Sequence, residues 1–115
     1  MELIYRMENN ICVVELEGEL TLDKAYEFNN RIKFLTDEKN PKALLINMQD
    51  LIHMDSAGFG ALATIYKTMK SQAKQLGVCQ LNPHMKATFQ ITKLGELISI
   101  YDTEQEALRN LEMLS

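Results

Sequence analysis

Ala43-Leu44-Leu45-Ile46-Asn47-Met48 and, shortly after it, Met54-Asp55-Ser56-Ala57-Gly58-Phe59-Gly60 decide how this chain is read. The first run is continuously apolar as far as Ile46, as expected of a strand covered on both faces. The second opens a helical pattern. Asp55 and Ser56 are both good N-caps, because a short side-chain oxygen accepts from the orphan N–H groups of a first helical turn. A strand therefore ends, crosses a short loop and turns into a helix at Ser56. Gly58 and Gly60 are unusual in that turn, since each costs about 1 kcal/mol relative to Ala in a helix interior. Two readings stay open. The glycines pack the helix start against the sheet, or they let a partner chain or a phosphate approach this backbone.

Working outward, Leu62, Ile65, Tyr66, Met69, Ala73 and Leu76 form the expected buried stripe of the longest helix. Gly60, Ala61, Thr64, Lys67, Lys70 and Lys74 form its outward face, and Gly77 is its expected stop. Val78 to Leu81 follows as a strand. Asn82-Pro83 places a cap and a first-turn proline at the start of a helix that ends at Gly95. Ile98 to Tyr101 reads as a last strand, and Thr103-Glu104-Gln105-Glu106 as a capping box opening a final helix.

Toward the N-terminus, Thr21 caps a helix whose apolar stripe is Ala25, Phe28, Ile32 and Leu35, ending near Asp37. Before it, Leu3 to Met7 and Ile11 to Leu16 are strand-like runs joined at Glu8-Asn9-Asn10. Asn tolerates left-handed backbone angles, so a hairpin turn is expected there. The order ββαβαβαβα predicts an α/β fold: a mixed, mostly parallel sheet with an N-terminal β-hairpin and about four helices. Loops at the carboxyl ends of parallel strands carry function in such sheets. Asp55-Ser56 lies at one such end, and Gly18 to Thr21 at another if its strand runs the same way.

The 115 residues suit one domain spanning 1–115. Twelve basic against 16 acidic residues, a net charge of -4, argue against direct nucleic-acid binding. No apolar run approaches the roughly 20 residues that span a bilayer, and the N-terminus lacks a signal peptide's basic and apolar regions. A cytoplasmic monomer is expected. Cys12 and Cys79 read as buried reduced thiols. Ser56 as a catalytic nucleophile would need a positioned base. Of the two histidines, His53 is too near in sequence to fold back easily, and His84 starts a helix. No metal-ligand spacing and no phosphate-binding loop lysine is present, so neither enzyme activity nor a cofactor is expected. A phosphate acceptor needs less: an accessible hydroxyl on a rigid loop.

The stretch Met54 to Gly60 resembles the MDSxGLG signature of the STAS domain, and more narrowly that of the bacterial anti-sigma-factor antagonists. Gly18-Glu19-Leu20 is similar to the family's turn after its second strand, Ala43 to Met48 to its central strand, and Pro83 to Leu97 to its later helix. In that family the Ser directly after the Asp is phosphorylated, which by resemblance is Ser56. The resemblance implies that the unphosphorylated form binds an anti-sigma factor, commonly a Ser/Thr protein kinase, and frees a sigma factor. Phosphorylation ends the binding and a phosphatase restores it; ATP and Mg²⁺ belong to the kinase. The implied partner-binding residues are Thr21, Met54, Asp55, Ser56, Ala57, Gly58, Phe59, Gly60, Ala61, Thr64 and Lys67. One position departs: the family often has Asp directly after Gly-Glu-Leu, and here it is Thr21. That departure keeps an alternative open, a non-switching STAS scaffold subunit of a stress-signalling complex or a lipid-transport system.

Overall fold

The chain begins with a hairpin. In the computed structural model, which describes residues 1–113, β1 (Glu2–Glu8) pairs antiparallel with β2 (Ile11–Leu20). The expected span 1–115 extends past the described residues. Asn9 and Asn10 close the turn with φ of 48° and 66°, the left-handed angles that a two-residue hairpin loop requires. The remaining elements alternate: α1 (Leu22–Lys39), β3 (Ala43–Met54), α2 (Ser56–Ser71), β4 (Gln75–Cys79), α3 (Pro83–Ile91), α4 (Leu94–Leu97), β5 (Ser99–Tyr101) and α5 (Glu104–Met113). The sheet order is β1-β2-β3-β4-β5, with β2 to β5 parallel. This is the α/β sheet with an N-terminal hairpin that the sequence predicts. The expected later helix breaks into α3 and α4, so the described residues hold five helices.

Strand alternation sorts the core into two layers. Cys12, Val14, Leu16, Leu44, Ile46 and Met48 face Phe28 and Ile32 of α1, Leu62 and Met69 of α2, and Phe89 of α3. Ile11, Val13, Ala43, Leu45 and Cys79 face Ala107 and Leu111 of α5. A polar network ties α5 to that second face. Buried Asn47 donates from Nδ2 to Glu104 Oε1 at 3.1 Å, and Arg6 pairs with both Glu104 and Glu8. Burial pulls the Glu104 carboxyl upward, but the hydrogen bonds from Arg6 and Asn47 outweigh it and hold the group below its ordinary range.

Several boundaries differ from the sequence expectation. Strand β2 runs through Gly18-Glu19-Leu20 instead of turning there, and β3 runs on to Met54. The β2–β3 register skips between Glu15 and Glu17 and again between Gly18 and Glu19. At both places β3 carries the extra residue, the second being Ile52. Such bulges break the alternation that marks a strand and re-aim side chains; Ile52 stands 75% exposed while Leu51 and Met54 stay buried. Helix α2 stops at Ser71, so Ala73 and Leu76 fall outside its stripe. Gly77 lies within β4, not at a helix end, and a side chain there would press on the Tyr101 ring. Helix α1, with 18 residues against 16 in α2, is the longer.

Candidate phosphoacceptor site and docking face

Strand β3 delivers Met54 to the core and then turns. Asp55 keeps an extended backbone and is the N-cap of α2, its Oδ1 accepting from Gly58 N at 3.0 Å. Its other oxygen, Oδ2, accepts from Leu22 N at 3.1 Å. One carboxylate therefore serves the first turns of two helices, each of which has orphan N–H groups to satisfy. Asp55 N also donates to the Leu20 carbonyl at 3.4 Å. The β3–α2 loop is thus tied to the end of β2 and to the start of α1.

Ser56 is the first residue of α2 and is exposed. The helix it starts is capped by its neighbour Asp55. Thr21 occupies the N-cap position of α1 but makes no side-chain cap bond. Its hydroxyl donates to Asp23 Oδ1 at 2.6 Å, and this bond leads the causes that hold the Asp23 carboxyl below its ordinary range. The expected Thr21 cap is therefore replaced by Asp55, reaching across from β3.

The two glycines have separate reasons. A Cβ at Gly58 would run into the Leu20 carbonyl oxygen and the Met54 side chain. Gly58 is buried and is glycine so that α2 can sit on the strand ends. A Cβ at Gly60 would meet nothing within 4 Å, and Gly60 is exposed. It is the glycine that leaves room on the outside.

The expected partner-binding residues divide in the same way. Ser56, Gly60, Thr64 and Lys67 are exposed, and Thr21, Asp55, Ala57 and Phe59 are half-buried. Ser56, Gly60 and Lys67 recur at helical spacing and share one stripe of α2. Met54, Gly58 and Ala61 are buried. The sequence pattern places Ala61 outside, but it is buried together with Gly58, Leu62 and Ile65. Phe59 is held from inside, its ring edge-on to Phe89 at 5.1 Å. Sequence reasoning missed Leu22 and Tyr26, 75% and 79% exposed at the start of α1. The Asp55 bond brings Leu22 beside the site, and nothing local to either segment signals that pairing.

His53 lies exposed in β3 and His84 exposed at the start of α3. Among the described residues no group of three His, Cys, Asp or Glu is placed to hold a metal ion. No described helix is long and apolar enough to cross a membrane.

The family model of the STAS domain matches residues 3–107. This chain belongs to the STAS domain family. A relative from Paenibacillus polymyxa named anti-sigma F factor antagonist is 27% identical to this STAS protein over 121 residues, covering 100% of both chains. An anti-sigma factor antagonist from Mycobacterium paratuberculosis has a solved structure that superposes with a TM-score of 0.85 at 22% identity, covering 96% of this chain and 92% of its own. The Bacillus cell-fate determinant SpoIIAA in its phosphorylated form superposes with a TM-score of 0.73 at 23% identity, covering 95% and 98%. At these identities the two structures establish the STAS fold of this protein.

Proposed function

We propose that this STAS protein is an anti-sigma-factor antagonist switched at Ser56. The observation that carries the reading is an exposed serine at a helix start that Asp55 has already capped. The name of the Paenibacillus polymyxa relative and the phosphorylated form of Bacillus SpoIIAA support it. In the unphosphorylated state the face formed by Thr21, Ser56, Ala57, Gly60, Thr64 and Lys67 docks on an anti-sigma factor, and a sigma factor is released. Gly60 admits a close backbone approach, and Lys67 attracts an acidic rim. Met54, Gly58 and Ala61 support this face from beneath.

The partner doubles as a Ser/Thr kinase. It transfers the γ-phosphoryl group of ATP to Ser56 Oγ; the bond to ADP breaks, and the hydroxyl proton leaves to the kinase's base. The protein itself acts by binding, in the cytoplasm, and a phosphatase removes the phosphate by hydrolysis. A phosphoserine adds a charge of about -1.5 to -2 beside Asp55. Desolvating that charge in an interface, next to a carboxylate, opposes docking. Titration of the cognate anti-sigma factor with wild type, Ser56→Ala, Ser56→Asp and phosphoserine-56 protein tests this. Ser56→Ala binds as wild type does, Ser56→Asp more weakly, and the phosphoprotein at least about tenfold more weakly. Equal binding by all four discards the switch in favour of a scaffold role.

A further inference from the structure

Strand β1 is an outer strand of the sheet, with β2 on one side and no strand on the other among the described residues. Its ladder with β2 starts at Glu8 and Ile11, which flank the two-residue loop. Residues that flank such a loop exchange both backbone bonds, and bonded and unbonded pairs then alternate. Glu8, Arg6, Ile4 and Glu2 therefore bond to β2, and the backbone groups of Leu3, Tyr5 and Met7 point away from the sheet. The Arg31 side chain donates to Leu3 O at 3.1 Å, in keeping with that direction. A carbonyl oxygen has a second lone pair, so Leu3 O still accepts. Such a row of open donors and acceptors is a template for another strand.

Apolar side chains border this edge. Ile4 is 63% exposed, and Tyr5 is exposed on the opposite face of the strand. Phe34 of α1 is 67% exposed and lines, with Tyr26, Leu3 and Tyr5, a groove of about 560 Å³ between α1 and β1. Helix α1 returns from β2 to the parallel β3, so it runs in the direction of β1. Arg31 reaches Leu3, and Lys39 Nζ lies 5.9 Å from the centre of the Tyr5 ring. Phe34, between Arg31 and Lys39, is thus close to level with Ile4.

We propose that this edge binds a second copy of the chain, β1 pairing antiparallel with its counterpart about a two-fold axis at Ile4. Outward-facing residues must lie opposite one another, so the axis has to pass through a residue. Centring on Tyr5 sets Glu2 opposite Glu8, and centring on Arg6 sets Arg6 opposite itself. Like charges directly opposite destabilise a pair. Centring on Leu3 sets Glu2 opposite Ile4 and shortens the overlap. Centring on Ile4 sets Glu2 opposite Arg6, Leu3 opposite Tyr5, and Ile4 opposite Ile4 in a closely spaced pair. Arg6 already pairs with Glu8 and Glu104, so the Glu2 contact acts chiefly by disfavouring the neighbouring registers. An axis normal to the sheet keeps both α1 helices on one face, and it turns the two Phe34 rings toward each other above the joined strands. The sequence pattern shows β1 as a strand but not as an outer one, which is why it leads to the expectation of a monomer. This interface is independent of the reading of Ser56, because β2 separates β1 from the strand that leads to the serine.

Sedimentation equilibrium over a dilution series measures the mass. The wild-type protein approaches twice the chain mass of 13.2 kDa as concentration rises. Ile4→Lys and Ile4→Glu each set like charges on the axis and hold the protein at the mass of one chain. Mixing the two variants restores a dimer, because Lys then lies opposite Glu. Phe34→Ala weakens dimerisation by about tenfold. Ile52→Lys, exposed on β3 away from this edge, leaves it unchanged. Circular dichroism checks that each variant is folded; should the Ile4 variants not fold, the wild-type mass and Phe34→Ala decide. A wild-type mass of one chain at every concentration overturns the proposal. So does a dimer that survives either Ile4 charge or is unaffected by Phe34→Ala, and so does a mixture of the two Ile4 variants that stays monomeric.

Discussion

Replacing Asp55 by Ala removes one carboxylate and with it two hydrogen bonds, to Gly58 N at 3.0 Å and to Leu22 N at 3.1 Å. Loss of an N-cap costs about 1 kcal/mol. The bond to Leu22 is charge-assisted but exposed, which places it near about 1 kcal/mol as well. Together they make about 2 kcal/mol. Unfolding entropy of about 2.1 cal/mol/K per residue gives roughly 0.24 kcal/mol/K for a chain of this size, so the melting temperature falls by about 8 °C. Asp55→Asn keeps one neutral carbonyl oxygen for one of the two donors and loses about half as much. Ser56→Ala stays within about 2 °C of wild type, because Ser56 carries neither bond. Melting curves by circular dichroism, collected in the same buffer, rank the three variants. The two-helix tie is refuted if Asp55→Ala melts within about 2 °C of wild type, or if Ser56→Ala falls as far as Asp55→Ala.

The two glycines of α2 separate under the same assay. Gly58→Ala forces a methyl into the Leu20 carbonyl and the Met54 side chain and destabilises by about 1–3 kcal/mol, whereas Gly60→Ala enters open space and stabilises by up to about 1 kcal/mol; loss of stability in both would remove the distinction. Acid should loosen α5. The Glu104 carboxyl is held low in the fold, so the stability it contributes is present above the ordinary carboxylate range and is lost as pH falls through its lowered folded value; Glu104→Gln should flatten the acid limb of a melting-temperature profile, and an unchanged limb would remove Glu104 from it. Burial pushes the Cys79 thiol up to about 12 and raises that of Cys12, so a thiol-specific chromophore should label neither in the native protein and both in denaturant; fast native labelling would contradict that burial.

Much of the fold can be read from neighbours close in sequence. Phe28, Ile32 and Leu35 bury one stripe of α1, and Asn82 caps α3 through Met85 N at 2.8 Å. Thr103 caps α5 through Glu106 N at 3.1 Å. These signals rest on interactions within about four residues, which a linear pattern records directly. The strand ends differ from the sequence expectation for a physical reason. Gly18-Glu19-Leu20 has the composition of a turn, yet pairing with Leu51, His53 and Met54 keeps it in β2, and Gly18 absorbs a φ of 99°. Composition gives a local preference, and the ladder of a neighbouring strand overrides it.

The sequence alone determined the hairpin, the order of helices and strands, the apolar stripe of α1, and Ser56 as the residue to watch. Tertiary structure decided the rest. It sent the second Asp55 oxygen to Leu22, 33 residues away in the chain. It explained Gly58 by the end of β2 and left Gly60 open. It buried Ala61 and exposed Ile52 at a bulge. A cap or a periodic stripe is set by a residue's own turn of helix, whereas a carboxylate's second partner, or the space beside a missing Cβ, exists only once separate segments have packed together.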